Sequence, residues 1–294
     1  MATISNILVA SDFSQPAEAA LQNALRIARG SGASLTLLHV ATIFEGDFSG
    51  ERIATLKSLY QRLEKKAALE ISSHLAGIDS KGVTLHTAVR SGFNAAEEIL
   101  TFIKKNHIDL VALGSQGRKP LSEWILGSVA DKIVRMAPCP VLTVRQTAQN
   151  PTDKTGYGHI VVATDFSPNS QKALQMANTL ANREARIDVI HVLDDSFLAH
   201  YGASGMAALM PDLQRRAAET LEQFAARGLT PGRKGRRILE MGAVSDKILE
   251  YAQGSHADLI TVGQRSRVTE EPIMLGSVSQ HLVQRSRLPV LVVK

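Results

Sequence analysis

Short apolar runs alternate along this chain with longer stretches of helical periodicity. In the first half the runs lie near Ile4 to Ala10, Ser34 to Val40, Val83 to Val89, Ile108 to Gly114 and Pro140 to Arg145. A helix needs roughly twice that length, so each run predicts a strand. After the first strand, Leu21, Ala24, Leu25 and Ala28 recur at the i, i+3, i+4, i+7 spacing of an amphipathic helix. Further helices are predicted over about Ile53 to Leu75, Ala95 to Lys105 and Ser128 to Met136. Strand and helix in alternation predict an α/β fold, an open five-stranded parallel sheet covered on both faces. Ligands bind such sheets beyond the carboxyl ends of the strands where the winding reverses, here between the first and fourth strands.

The pattern then repeats. Asn6 to Ser14, NILVASDFS, recurs as His159 to Ser167, HIVVATDFS; Asp109 to Gly114, DLVALG, recurs as Asp258 to Gly263, DLITVG. LLHV at Leu37 to Val40 recurs as VIHV at Val189 to Val192, and CPVLTV at Cys139 to Val144 as LPVLVV at Leu288 to Val293. Strands are therefore predicted near Ile160, Ile187, Ile238, Leu259 and Val290, with Ser167-Pro168 opening a helix. Between the halves, Gln146 to Tyr157 is polar and turn-rich, which predicts a domain of residues 1–146, a linker of 147–157 and a second domain of 158–294.

Composition narrows the function classes. With 294 residues, 44% hydrophobic, the chain can bury two cores, and 4% aromatic content makes those cores aliphatic. No apolar stretch approaches a membrane span and no basic, cleavable leader opens the sequence, so a cytoplasmic protein without membrane contact is expected. The single Cys139 excludes an internal disulfide, and a net charge of +5 suits anionic ligands without requiring nucleic acid.

Candidate chemistry concentrates in IDLVALGSQGRKPLSEWILGS, Ile108 to Ser128. Gly114 ends a strand, Gly117 follows in the loop, and Gly127-Ser128 stands where a helix begins. Glycine in the loop permits positive φ, so that amides turn inward as an anion nest, and the helix start adds unpaired N–H groups. A plainer reading is equally compatible: Ser128 to Asp131 is a capping box that merely starts the helix. Arg118 and Lys119 add charge to the loop. No Walker lysine, G-x-S-x-G elbow or paired histidine motif accompanies it, so at most a weak ATPase is expected.

These repeated motifs, with the G-x2-G-x9-G-S spacing at Gly114, Gly117, Gly127 and Ser128, resemble the universal stress protein family in its tandem-domain form. The resemblance implies a Rossmann-like, adenine nucleotide alpha hydrolase-like fold in each half, ATP (or ADP or AMP) binding with Mg²⁺, and a stress-response regulatory role with little or no hydrolysis. A slow ATPase and a nucleotide-independent scaffold are the alternatives. It assigns Asp12 to the adenosine side, the Val40 backbone to the adenine, and Gly114, Gly117, Gly127, Ser128 and Val129 to ribose and phosphates. Asp12 also has a plain reading as a turn acid ahead of Ser14 and Pro16. In the family the last strand pairs across a domain dimer, which implies an intramolecular pseudo-dimer and leaves a homodimer open.

In the second half the matching residues are Asp165, Val192, Gly263, Gly276 and Ser277, but Ser266 replaces the middle glycine. Serine resists positive φ by about 1 kcal/mol or more, so a deformed nest is expected there. Glu270 and Glu271 would repel phosphates, partly offset by Arg265 and Arg267, and Ser277 to Gln280 is again a capping box. His39 and His191, at equivalent strand ends, predict a shared packing or hydrogen-bonding role. The basic run Arg233 to Arg237 reads as a solvated edge strand, and the apolar Phe197 to Met210 as a helix start or lid.

Overall fold

A computed structural model describes residues 3–42, 56–117, 125–145, 155–195, 209–264 and 275–294. The chain divides into two compact units, Ile4–Asn150 and, in the main, Pro151–Lys294.

The first unit runs β1 (Asn6–Ala10), α1 (Gln15–Ser31), β2 (Ser34–Thr42), α2 (Leu56–Leu75), β3 (Leu85–Gly92), α3 (Ala95–Lys105), β4 (Leu110–Gly114), α4 (Ser128–Met136) and β5 (Val141–Val144). Its strands are parallel in the order β3-β2-β1-β4-β5. The winding reverses between β1 and β4, where Ala10 stands opposite Leu113. Leu21, Ala24, Leu25 and Ala28 of α1 are completely buried, as their spacing predicts. Each of the two leucines gains about 1.5–3 kcal/mol from leaving water.

The second unit repeats the plan: β6 (Tyr157–Ala163), α5 (Pro168–Leu180), β7 (Ala181–Leu193), α6 (Met210–Gly228), β8 (Arg237–Met241), α7 (Val244–Gly254), β9 (Leu259–Gly263), α8 (Ser277–Arg285) and β10 (Val290–Val293). Its order is β10-β9-β6-β7-β8, again parallel. Tyr157, the last residue of the stretch expected to connect the halves, opens β6 with its side chain fully buried.

Two departures from the predicted boundaries have local causes. β3 starts two residues late because Gly82, at φ 78°, turns the chain and Val83 N–H donates to the Ser80 carbonyl at 3.1 Å. Asp109, the one charge in an apolar run, is spent before β4 begins, accepting from Ser5 N–H at 2.8 Å and Asn6 N–H at 2.9 Å. Asp258 does the same for Gly158 and His159 at 2.8 and 3.1 Å. The repeated acid thus clamps the start of the neighbouring strand. Among the described residues, no helix is long and apolar enough to cross a membrane.

Candidate functional site

The carboxyl rim of the first unit begins where β1 gives way to α1. Ser14 caps α1, accepting from Ala17 N–H at 3.4 Å, and proline follows within the first turn. Asp12 Oδ1 accepts from Ser14 N–H at 3.1 Å and Ser14 Oγ–H at 2.6 Å. One carboxylate oxygen therefore serves the turn, as the plain reading of Asp12 requires.

Between them Phe13 adopts φ 61°, a left-handed conformation that costs a non-glycine residue about 1–2 kcal/mol. The cost is offset by its ring, stacked on His39 with centroids 4.6 Å apart, and by the Phe13 N–H bond to Ser11 Oγ at 3.1 Å. His39 Nδ1 bonds the Ser11 carbonyl at 2.8 Å. The second half rebuilds the device: Phe166 at φ 64° lies 4.3 Å from the ring of His191, whose Nδ1 bonds the Thr164 carbonyl at 2.8 Å. The two histidines share the hydrogen-bonding and packing role expected from the repeat. Val40, beside His39 on β2, is half-buried, and Val192 is buried.

The glycines divide into two jobs. A side chain at Gly114 would meet Pro16 Cβ at 2.8 Å and Ala17 N at 2.9 Å, so this glycine admits the start of α1 to the sheet. Gly263 does likewise against Asn169 and Ser170, at 2.9–3.0 Å. Gly117 faces the rim instead: a Cβ there would lie 3.1 Å from Asp12 Oδ2. Gly117 does not take positive φ, so the expected conformational reason for glycine gives way to a steric one. Ser266, its counterpart in the second half, lies outside the described residues.

Gly127 N–H donates to the Ser115 carbonyl at 2.9 Å, tying the start of α4 to the loop. Gly127, at φ −62° and ψ 145°, is the cap residue of α4, and no side chain caps the helix. The capping box expected at Ser128 is thus not formed: Ser128 is already inside the helix, and Asp131 turns away to Arg135 Nε at 2.9 Å. Among the described residues, no side chain accepts from the first-turn amides, Ser128 and Val129 among them, which carry the positive end of the helix dipole.

Gly276 and Ser277 repeat this geometry, with cap angles of −63° and 147° and Gly276 N–H on the Gln264 carbonyl at 2.9 Å. The second capping box is absent for the same reason. Asp165 Oδ1 again serves the turn, accepting from Ser167 N–H at 3.0 Å. The deformation expected at Ser266 falls outside the described residues. Arg118, Lys119, Arg265, Arg267, Glu270, Glu271 and residues 197–208 lie outside the described residues.

An open depression of about 640 Å³ is lined by Phe13, Lys66, Leu69, Glu70, Ser73 and His74. None of the predicted site residues lines it, so it is distinct from the rim between Asp12 and Gly127.

The sequence reading missed a charged cluster in the second unit. Asp188, fully buried on β7, accepts from His159 Nε2 at 2.9 Å, Arg186 Nε at 2.9 Å, Tyr251 Oη at 2.7 Å and Arg236 N–H at 2.7 Å. Burial pushes its carboxyl up, but these donors outweigh burial and hold it well below the usual range. The signal was available in the repeat, because Asn6, Ser34 and Thr36 of the first half become His159, Arg186 and Asp188. The basic run is also structural. Arg233, ahead of β8, bonds the Asn182 carbonyl at 2.7 Å, and Arg237, which opens the edge strand β8, pairs with Glu222 at 3.3 Å; both are half-buried.

Comparison with known proteins agrees with this architecture. The family model described as universal stress protein family matches residues 3–145 and again 156–294. A universal stress protein of Mycolicibacterium smegmatis is 27% identical over 100% of this chain and 98% of its own length. One from Mycobacterium tuberculosis is 26% identical over 77% of this chain and 74% of its own. The crystal structure of a universal stress protein from Archaeoglobus fulgidus, 19% identical, superposes with a TM-score of 0.69 over 98% of both chains and shares the fold. With the family model matched in each half, and with the Asp12 turn and the five-stranded sheet each present twice, the chain belongs to the universal stress protein family and carries one of its domains in each half.

Proposed function

We propose that the first half binds an adenine nucleotide at its carboxyl rim and that occupancy of this pocket regulates the protein in a cytoplasmic stress response. The observation that carries the reading is the approach of Asp12 Oδ2 to Gly117 beside the uncapped start of α4. An acceptor and a row of amide donors then stand at opposite ends of one rim. Asp12 suits ribose hydroxyls or the adenine amine, the Val40 backbone the base, and the amides around Gly127, Ser128 and Val129 an anionic tail. ATP, ADP and AMP share these features, and Mg²⁺ would be carried by the phosphate oxygens, since it keeps most of its waters. The sequence carries no Walker lysine or other recognised hydrolytic motif beside this loop, so we read the pocket as one that binds with little turnover. The second rim, with Asp165, Val192, Gly263, Gly276 and Ser277, is the weaker site.

For assembly, the same reading makes each chain a pseudo-dimer through its two last strands, with association of two chains as a further step. Sedimentation of the purified protein tests that step.

The test of function is to denature the purified protein and analyse what it releases. Adenine nucleotide recovered near one equivalent supports the reading, and a phosphate-release time course separates binding from slow hydrolysis. Calorimetry showing no heat with ATP, ADP or AMP in the presence of Mg²⁺ would overturn it.

A further inference from the structure

Ser115 is 1% exposed, and among the described residues its hydroxyl has no hydrogen-bond partner. Leaving a buried hydroxyl unmet is costly, so a group that satisfies it is worth seeking. Its N–H donates to the Val144 carbonyl at 2.8 Å, which carries the ladder between β4 and β5 one residue beyond Gly114. Side chains alternate along such a ladder, and the Cβ that Gly114 lacks would point at α1. Ser115 therefore points to the opposite face, where right-handed crossovers put α3 and α4. Its own carbonyl receives Gly127 N–H at 2.9 Å, which ties the Ser115 backbone to the start of the nine-residue α4.

A hydroxyl donor beside first-turn amides, with no acceptor among them, selects an anionic oxygen. We propose that Ser115 Oγ–H binds the phosphate tail of the ligand, and that the Ser115/Gln264 difference sets the two halves apart in the tail they accept. Gln264 occupies the same backbone position: its N–H bonds the Val293 carbonyl at 2.7 Å and its carbonyl receives Gly276 N–H at 2.9 Å. By the same alternation it sends a longer amide side chain to the face that Ser115 leaves open. This inference rests on the nucleotide reading of the first pocket and adds a residue that discriminates between tails.

The experiment titrates ATP with Mg²⁺, AMP, and inorganic tripolyphosphate into the full-length protein and into Ser115→Ala and Ser115→Gln. The alanine variant is expected to bind ATP and tripolyphosphate about tenfold more weakly, with AMP changed less than about twofold. The glutamine variant loses the two triphosphates and keeps AMP. Without ligand, Ser115→Ala melts at or above the parent temperature, because an unmet hydroxyl has been removed. Unchanged ATP affinity in Ser115→Ala, or equal loss of ATP and AMP, overturns the inference while leaving nucleotide binding intact. A parent that binds tripolyphosphate through Ser115 but no nucleotide overturns the adenine reading alone; a parent that binds none of the three overturns both.

Discussion

A methyl group added at Gly117 would come within 3.1 Å of Asp12 Oδ2, so the two residues are shaped for each other across the rim. That contact is tighter than ordinary packing, and the carboxylate is the part able to give. Gly117→Ser, which imports the second half's residue, is expected to displace the carboxylate and weaken ATP binding roughly tenfold while leaving thermal stability within about 0.5 kcal/mol. Calorimetry and thermal melting of the same preparation check both halves of the statement, and unchanged affinity would show that Asp12 has no ligand role.

Gly114→Ala and Gly263→Ala should behave in the opposite way. The atoms they would strike are backbone and proline atoms of α1 and backbone atoms of α5, which cannot rotate away. Each substitution is expected to cost about 1–3 kcal/mol by overpacking. Denaturant midpoints measure this directly, and any loss of nucleotide in the Gly114 variant follows from the helix being pushed off the sheet.

Removing the ring of His39 or His191 takes away a bond to the carbonyl of Ser11 or Thr164 and the stack that offsets a left-handed phenylalanine. His39→Ala and His191→Ala are each expected to cost about 1–2 kcal/mol, with similar values in the two halves. Strongly unequal losses in urea unfolding would contradict the shared role.

Asp188 gives the second unit an acid-sensitive component. Its carboxyl is held below the ordinary range in the folded chain, so its contribution is complete above the unfolded pKa of about 4. The contribution is lost as pH falls from there through the folded value. Asp188→Asn is expected to cost about 2–4 kcal/mol at pH 7, and the gap between parent and variant should close progressively below about pH 4. Hydrogen exchange along β7 and β8 at several pH values reads this, and a gap independent of pH would place the effect elsewhere than in the charge.

Much of this was legible because it depends on neighbours in the chain. The repeat, the α1 stripe of Leu21, Ala24, Leu25 and Ala28, and the helix start at Ser167-Pro168 follow from local periodicity and cap chemistry, and each takes its expected place. Ser128 misled because a capping box fits its sequence, whereas the anchor of Gly127 to the Ser115 carbonyl fixes the helix start one residue earlier. Gly117 misled because a glycine tells of missing bulk without telling whether rotation or space required it. His159, Arg186 and Asp188 were visible as departures between halves, but only strand pairing puts them on one carboxylate.

By itself the sequence determined two α/β units, their strand order at the winding reversal, and the rim on which a ligand would lie, since hydrophobic period and crossover handedness leave few other solutions. Only the tertiary structure decided which glycine clears space for a helix and which faces Asp12, that α4 begins without a side-chain cap, and that Ser115 is buried with its hydroxyl unmet. Those are matters of distance between segments far apart in the chain, and a linear pattern carries no distances.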